Sequence, residues 1–286
     1  MEKKFYIDWD NEISREEFIK NILSDEDLPK IRSLIIGRWG ECWDEESCQP
    51  IIDMFVEHAE RFAHLESLNV GDMESDECEI SWIKQGDYSR LYAALPNLKK
   101  LTIKGTQDLE LGEIAHDKLE HLEIISGGAP CGVFASLQNS QLPALKTLIV
   151  YIGVENYGFD ASLDIVMNLA SKSLFPSLTH LGLVNSEEQN EITRRVLESD
   201  IMPQLEVLEL SCGTLTDKGA EHLLKHADRL SHLKLLDLHY HFLTTEMRKK
   251  LQKTLTCTVE LSEEQKVDDD DDDDDDDDYM YPMFTE

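Results

Sequence analysis

Cys212 stands one residue past Ser211 in LELSCG (208–213), and His180, His239 and His241 lie in similarly patterned segments on either side. A cysteine nucleophile needs an imidazole within hydrogen-bonding reach to take its proton. This grouping is the chain's candidate for covalent chemistry. Cysteine is also among the most commonly buried residues, so a packed, inert thiol is the competing account. LDLHYHFL (236–243) sets His239 and His241 two apart beside Asp237. On a strand such residues share a face, which makes half of a metal site that Glu209 of a neighbouring segment could extend. Alternatively, His241 is a turn residue that bonds the backbone. DWDNEISREEF (8–18) alternates carboxylates as a calcium loop does, but Ile13 holds the position where that loop needs glycine. A strand end followed by a helix capped by Ser14, with Glu17 three residues on, explains the same residues. There is no phosphate-cradling glycine loop, G-x-S-x-G elbow or H-E-x-x-H helix. Cys42 and Cys48 lack the second close pair that a structural zinc needs. These motifs point to no enzyme, no metal and no cofactor.

The elements that must position these residues recur along the chain. IRSLIIG (31–37), LESLNVG (65–71), LKKLTIK (98–104), LEHLEII (119–125), LKTLIVY (145–151), LTHLGLV (178–184), LEVLELS (205–211) and LKLLDLH (233–239) all fit L-x-x-L-x-L. Side chains alternate faces along an extended segment, so positions 4 and 6 point into a shared core. A single such strand cannot bury its apolar face, whereas a stack of them can. Between the strands the apolar period moves towards 3.6. Residues 50–63 open on Pro50, residues 160–175 start from Asp160, and residues 216–230 start from a Thr216 cap. A further helix is expected over 244–254. Residues 77–87, ECEISWIKQGD, alternate like a short edge strand, with Trp82 packed on the body in the favoured reading and an exposed binding anchor in the other.

This strand–turn–helix pattern, in units of about 28 residues, resembles the leucine-rich repeat of the ribonuclease-inhibitor type. The resemblance implies an α/β solenoid, an arc or horseshoe with parallel strands on the concave face and helices on the convex face. LEVLELSCGTLTDKGAEHLL (205–224) is its best copy, with Gly213 where that class carries Asn or Cys, a departure expected to loosen the turn. Repeats, cap and acidic tail together, and EISWIKQGDYSRLYAALPNLKKLTIKG (79–105) in particular, resemble a family of bacterial cytoplasmic leucine-rich-repeat proteins that supplies a fold and no established activity. The expected organisation is an N-terminal cap over 1–30, eight irregular repeats over 31–262, and a disordered acidic tail over 263–286 ending in an aromatic peptide. In the cap, Phe5, Ile7 and Trp9 alternate like a strand; LTCTVELS (255–262) closes the other end.

The formal charge is −32, of which the eleven aspartates Asp268–Asp278 contribute −11, leaving −21 elsewhere. Such a surface repels nucleic acid and anionic membranes and favours a basic protein or peptide partner. No apolar stretch follows the N-terminal lysines and no window approaches a membrane span. With six scattered cysteines, that reads as a cytoplasmic protein with reduced thiols.

If positions 4 and 6 face the core, positions 3, 5 and 7 face outward. Reading them down the stack gathers Ile125, Ile149, Tyr151 and Val184 mid-arc with Val207 nearby, rimmed by Glu123, Glu209, Asp237, His239, His121 and His180. An apolar centre with a polar rim is the anatomy of a protein interface, unless the insertion NYGF (156–159) folds over it. The expectation is an interaction module that grips a protein or peptide there. The alternatives are an intracellular inhibitor of a basic nuclease or toxin, and a metal-dependent enzyme on the His/Asp/Glu side. Tyr279, Tyr281 and Phe284, on their aspartate tether, read as a short peptide meant to dock on this protein or another.

Overall fold

A computed structural model describes residues 1–10, 13–41, 46–266 and 280–285 of the chain. Ten strands form one open, all-parallel sheet in sequence order. They are β1 (Glu2–Phe5), β2 (Ser33–Ile36), β3 (Ser67–Val70), β4 (Lys100–Lys104), β5 (His121–Ile125), β6 (Thr147–Gly153), β7 (His180–Ser186), β8 (Val207–Glu209), β9 (Leu235–Asp237) and β10 (Thr258–Glu260). Helices or short 3-10 turns connect successive strands, except β4 and β5, whose connection (105–120) holds neither. The arrangement is an α/β fold consistent with a solenoid or arc.

The central leucines set the register. Leu34, Leu68, Leu101, Leu122, Leu148, Leu181, Leu208 and Leu236 are Cα partners of one another from strand to strand. Each is fully buried or nearly so. A slip of one residue would turn the whole column out to solvent. Ile36, Val70, Ile103, Ile124, Val150, Leu183, Leu210 and Leu238 supply the second apolar column, and residues of the connecting helices complete one continuous core.

Several expectations are corrected. The first strand lies at Glu2–Phe5 rather than through Trp9; Ile7 is buried, while exposed Trp9 stacks its ring 3.6 Å from the Arg38 guanidinium. Ser14 does accept from the Glu17 N–H and open the helix Arg15–Ser24. The helix expected from Asp160 spans only Leu163–Met167, because the Asp160 carboxylate instead caps the Cys131 N–H and Ser162 becomes the N-cap. Residues Ile80–Trp82 form a 3-10 turn, not a strand, and the Trp82 side chain is 52% exposed. A Cβ on Gly213 would lie 2.5 Å from Gln189 Oε1 and 2.7 Å from the Ser186 carbonyl, so the glycine there permits a close approach rather than a loose turn. Cys78 is disulfide-bonded, which overturns a uniformly reduced set of thiols. Cys42, part of the calcium-like segment (Asn11, Glu12), the aspartate run and Tyr279 lie outside the described residues. Among the described residues, no helix is long and apolar enough to cross a membrane.

Candidate functional site

The sheet face away from the helices ends in three equivalent turns. Asn185, Cys212 and Tyr240 each occupy the eighth position of their unit, and all three adopt a left-handed backbone, with φ of 58°, 62° and 55°. Asparagine tolerates this region, but for cysteine and tyrosine it is uncommon and costs about 1–2 kcal/mol. A ladder holds the turns in line. Asn185 N–H donates to Ser211 O, Cys212 N–H to His239 O, and Tyr240 N–H to Ser262 O, each at 3.0 Å.

All three turns touch the same segment, the hexapeptide Met280–Thr285. Tyr240 Oη donates to Tyr281 O at 3.1 Å, and Cys212 O accepts from Met283 N–H at 2.8 Å. Asn185 grips Phe284 at both backbone groups: its Oδ1 accepts from Phe284 N–H at 2.9 Å and its Nδ2 donates to Phe284 O at 2.7 Å. The same Nδ2 reaches Ser126 O at 3.2 Å, and Asn185 is fully buried. The Phe284 ring meets Tyr151 edge-on, with centroids 5.4 Å apart. Pro282 is buried, and a Cβ on Gly127 would come within 2.9 Å of Thr285 O. Backbone hydrogen bonds of this kind bind any extended peptide, while the ring contact selects an aromatic side chain.

Histidine–carboxylate pairs line the face beside this strip. His180 Nε2 lies 2.6 Å from Glu209 Oε1, and His121 Nε2 lies 3.4 Å from Glu123 Oε2. Asp237 Oδ1 meets His239 Nδ1 at 2.8 Å and also accepts the His239 N–H at 2.9 Å. On its other side, His239 Nε2 lies 3.2 Å from Cys212 Sγ. These two partners push the His239 imidazole up to about 10. Burial alone would raise the Asp237 carboxyl, but the hydrogen bonds from His239 outweigh it and hold the group below its ordinary value. Glu123 is held down in the same way by His121 against the effect of burial. Burial, followed by the nearby Cys212, Glu123, Glu209 and Asp237, pushes the Tyr151 phenol well up.

The sheet register sets the anticipated residues side by side. Tyr151 and Val184 are Cα partners, as are Glu123 and Ile149, and Gly182 lies between Ile149 and Glu209. Ile149 and Val184 are buried yet stand outside the main core, while Ile125, Val207, Glu209, Asp237 and His239 are half-buried. What covers the strip at Tyr151 is the chain's own Phe284, not NYGF: Tyr157 abuts Gly128, and Phe159 packs on Phe134. The two histidines of LDLHYHFL diverge. His241 is buried, and its ring nitrogens meet the backbone at Leu261 O and Leu243 N–H. Among the described residues, no three His, Cys, Asp or Glu gather as metal ligands. Asn185 and Tyr240 are not among the outward positions that the sequence pattern picks out. Both fall one step beyond the outward positions 3, 5 and 7, and the signal that could have found them is the recurrence of that eighth position beside Cys212.

No family model and no curated protein matches the chain. Among solved structures, a crystal structure of a Bacteroides fragilis protein, a structural-genomics target, is similar, with a TM-score of 0.90 and 41% sequence identity. The match covers 99% of this chain and 77% of that one.

Proposed function

The chain belongs to the family of the Bacteroides fragilis protein, and on that premise we propose that it is an interaction module holding an extended peptide segment of a partner protein on the sheet face away from its helices. One observation carries the reading: a hexapeptide, Met280–Thr285, is already seated there by three successive units, through Tyr240, Cys212 and Asn185. The segment behaves as a resident ligand, and its chemistry describes the partner's: main-chain groups for Asn185 and an aromatic ring for Tyr151. Carboxylates at Glu123, Glu209 and Asp237, within a chain of net charge −32, favour basic residues flanking that ring. The finer reading of the fold as a leucine-rich repeat of the ribonuclease-inhibitor type is supported by the in-register leucine column. The cytoplasm remains the proposed compartment on the sequence argument, although the disulfide at Cys78 weighs against it.

The test uses the full chain with Phe284→Glu, which drives an added charge against Tyr151 and vacates the strip. Fluorescence anisotropy then measures binding of a labelled peptide, YMYPMFTE, and of the same peptide flanked by lysines. The reading requires saturable binding of both, tighter for the lysine-flanked peptide, and loss of both on Asn185→Gly. No saturable binding of either peptide to a folded Phe284→Glu chain would sink it.

A further inference from the structure

Beneath the seated hexapeptide, Cys212, His239 and Asp237 stand in the order nucleophile, base and orienting acid. We propose that Cys212 is a nucleophilic thiol that accepts an acyl group from an activated ester or thioester, that His239 is its base, and that the hexapeptide Met280–Thr285 covers it as an internal pseudo-substrate. This goes beyond peptide binding by adding a chemical step to the face that holds the peptide.

The geometry carries the assignment. Cys212 Sγ is 3.2 Å from His239 Nε2, and His239 Nδ1 is 2.8 Å from Asp237 Oδ1. Nucleophile and base are within the reach that proton transfer needs, and the base is fixed by a third group. Asp237 also holds the His239 backbone N–H, so the imidazole is tied to its strand end at two points. Cys212 has a left-handed backbone, an unfavourable conformation that recurs at sites where the fold fixes a functional residue. The peptide is bonded to the nucleophile's own residue: Met283 N–H donates to the Cys212 carbonyl, and Tyr281 and Phe284 are held by Tyr240 and Asn185. With the peptide seated, Cys212 is 1% exposed. Tyr151 meets the Phe284 ring of the same peptide edge-on.

In the step, the proton shared by the pair already rests on His239 Nε2; Cys212 Sγ bonds to the acyl carbon with the electron pair that proton left, and the carbonyl π pair moves to oxygen. Collapse restores the carbonyl and breaks the bond to the leaving alcohol or thiol. That group takes the proton back from His239 Nε2, and the acyl group remains on Cys212 as a thioester. The restriction to activated acyl groups follows from the backbone. The Cys212 N–H is spent on His239 O at 3.0 Å, so the amide beside the nucleophile is withheld from an oxyanion, and a good leaving group must compensate.

The experiment follows release of nitrophenolate from p-nitrophenyl acetate by the full chain and maps the acetyl group by peptide mass spectrometry. Exposed Cys131 serves as the internal reference thiol. Phe284→Glu is expected to raise acetylation of Cys212 by about 10-fold or more, the advantage a tethered cover confers at an effective concentration near mM. In that background His239→Gln should lower it by ~100-fold, as loss of a positioned base does. Asp237→Asn, altering a positioning residue, should lower the maximal acylation rate and leave the half-saturating ester concentration unchanged. The proposal is overturned if Phe284→Glu leaves Cys212 acetylation unchanged. It is equally overturned if His239→Gln in a folded chain leaves Cys212 as reactive as before, or if Cys212 never exceeds Cys131. Because the readout is acylation rather than peptide binding, its failure is distinguishable from failure of the binding role.

Discussion

Asn185 pairs with Phe284 through both ends of its carboxamide, accepting from the N–H at 2.9 Å and donating to the carbonyl at 2.7 Å. The carboxamide thus does for the hexapeptide what a neighbouring strand would do, from a position that is fully buried. Asn185→Gly isolates this pairing, since glycine keeps the left-handed backbone at no steric cost while removing the side chain. Each hydrogen bond is worth about 0.5–1.5 kcal/mol net. Amide exchange at Met283 and Phe284, measured by hydrogen–deuterium exchange, should accelerate by about 10-fold or more, while exchange in the leucine column stays as it was. Unchanged exchange at Phe284 would remove Asn185 as the anchor.

Gly213 shows how tightly successive units approach. A Cβ there would fall 2.5 Å from Gln189 Oε1, 2.7 Å from Ser186 O and 2.9 Å from Ser186 N. Two of those atoms are backbone and cannot swing aside. Gly213→Ala should therefore destabilise by about 1–3 kcal/mol, as overpacking does, and lower Tm by several degrees. A Tm equal to that of the unaltered chain would mean the turn relaxes freely.

The leucine column was legible because burial of one face imposes a period of two, and Leu34 through Leu236 carry that period without exception. The outward set at Tyr151, Val184, Glu209 and Asp237 followed from the same alternation. Other features depended on contacts that no local pattern encodes. The neighbourhood of Asp160 points to a helix start, but its carboxylate caps Cys131, 29 residues away. Asn185 meets Phe284 across 99 residues, and nothing in the sequence around either one announces the other. The approach of Cys212 to His239 was visible only as proximity of units. Its hydrogen bond depends on the left-handed turn at Cys212, which neither residue type favours.

The Asp237–His239 pair should make stability depend on pH in a defined window. His239 is raised from 6.5 to about 10, so its contribution is fully present below 6.5 and is lost as pH rises through about 10. Asp237 is lowered from 3.8, so its contribution is present above 3.8 and lost as pH falls through its folded value. Glu209 and Glu260, the strand neighbours of Asp237, together with His180, Cys212 and Tyr151, face the pair and are common to both chains compared. Urea unfolding of the unaltered chain against Asp237→Asn should differ most near pH 5, by about 1.5–3 kcal/mol for hydrogen bonds between charged groups. The difference should shrink towards pH 10 and again below 3.8. A difference that does not vary with pH would show the pair to be held by packing rather than charge.

The tether couples salt to partner binding. Thirteen residues, 267–279, eleven of them aspartate, join Lys266 to the seated hexapeptide. A short tether gives an effective concentration on the order of mM, so a hexapeptide of ~100 μM intrinsic Kd would be seated about ten times out of eleven. An added peptide must displace it and should bind the unaltered chain about 10-fold more weakly than it binds Phe284→Glu. The aspartate run carries −11 against −21 on the rest of the chain, a repulsion that opposes seating and that salt screens. Salt therefore strengthens seating of the resident peptide while weakening attraction of a lysine-flanked competitor. In the unaltered chain both effects lower the competitor's affinity, whereas in Phe284→Glu only the second operates. Anisotropy titrations at about 0.05 and 0.5 M salt should give a steeper fall in affinity for the unaltered chain. Equal slopes in the two chains would mean the run exerts no force on the seated peptide.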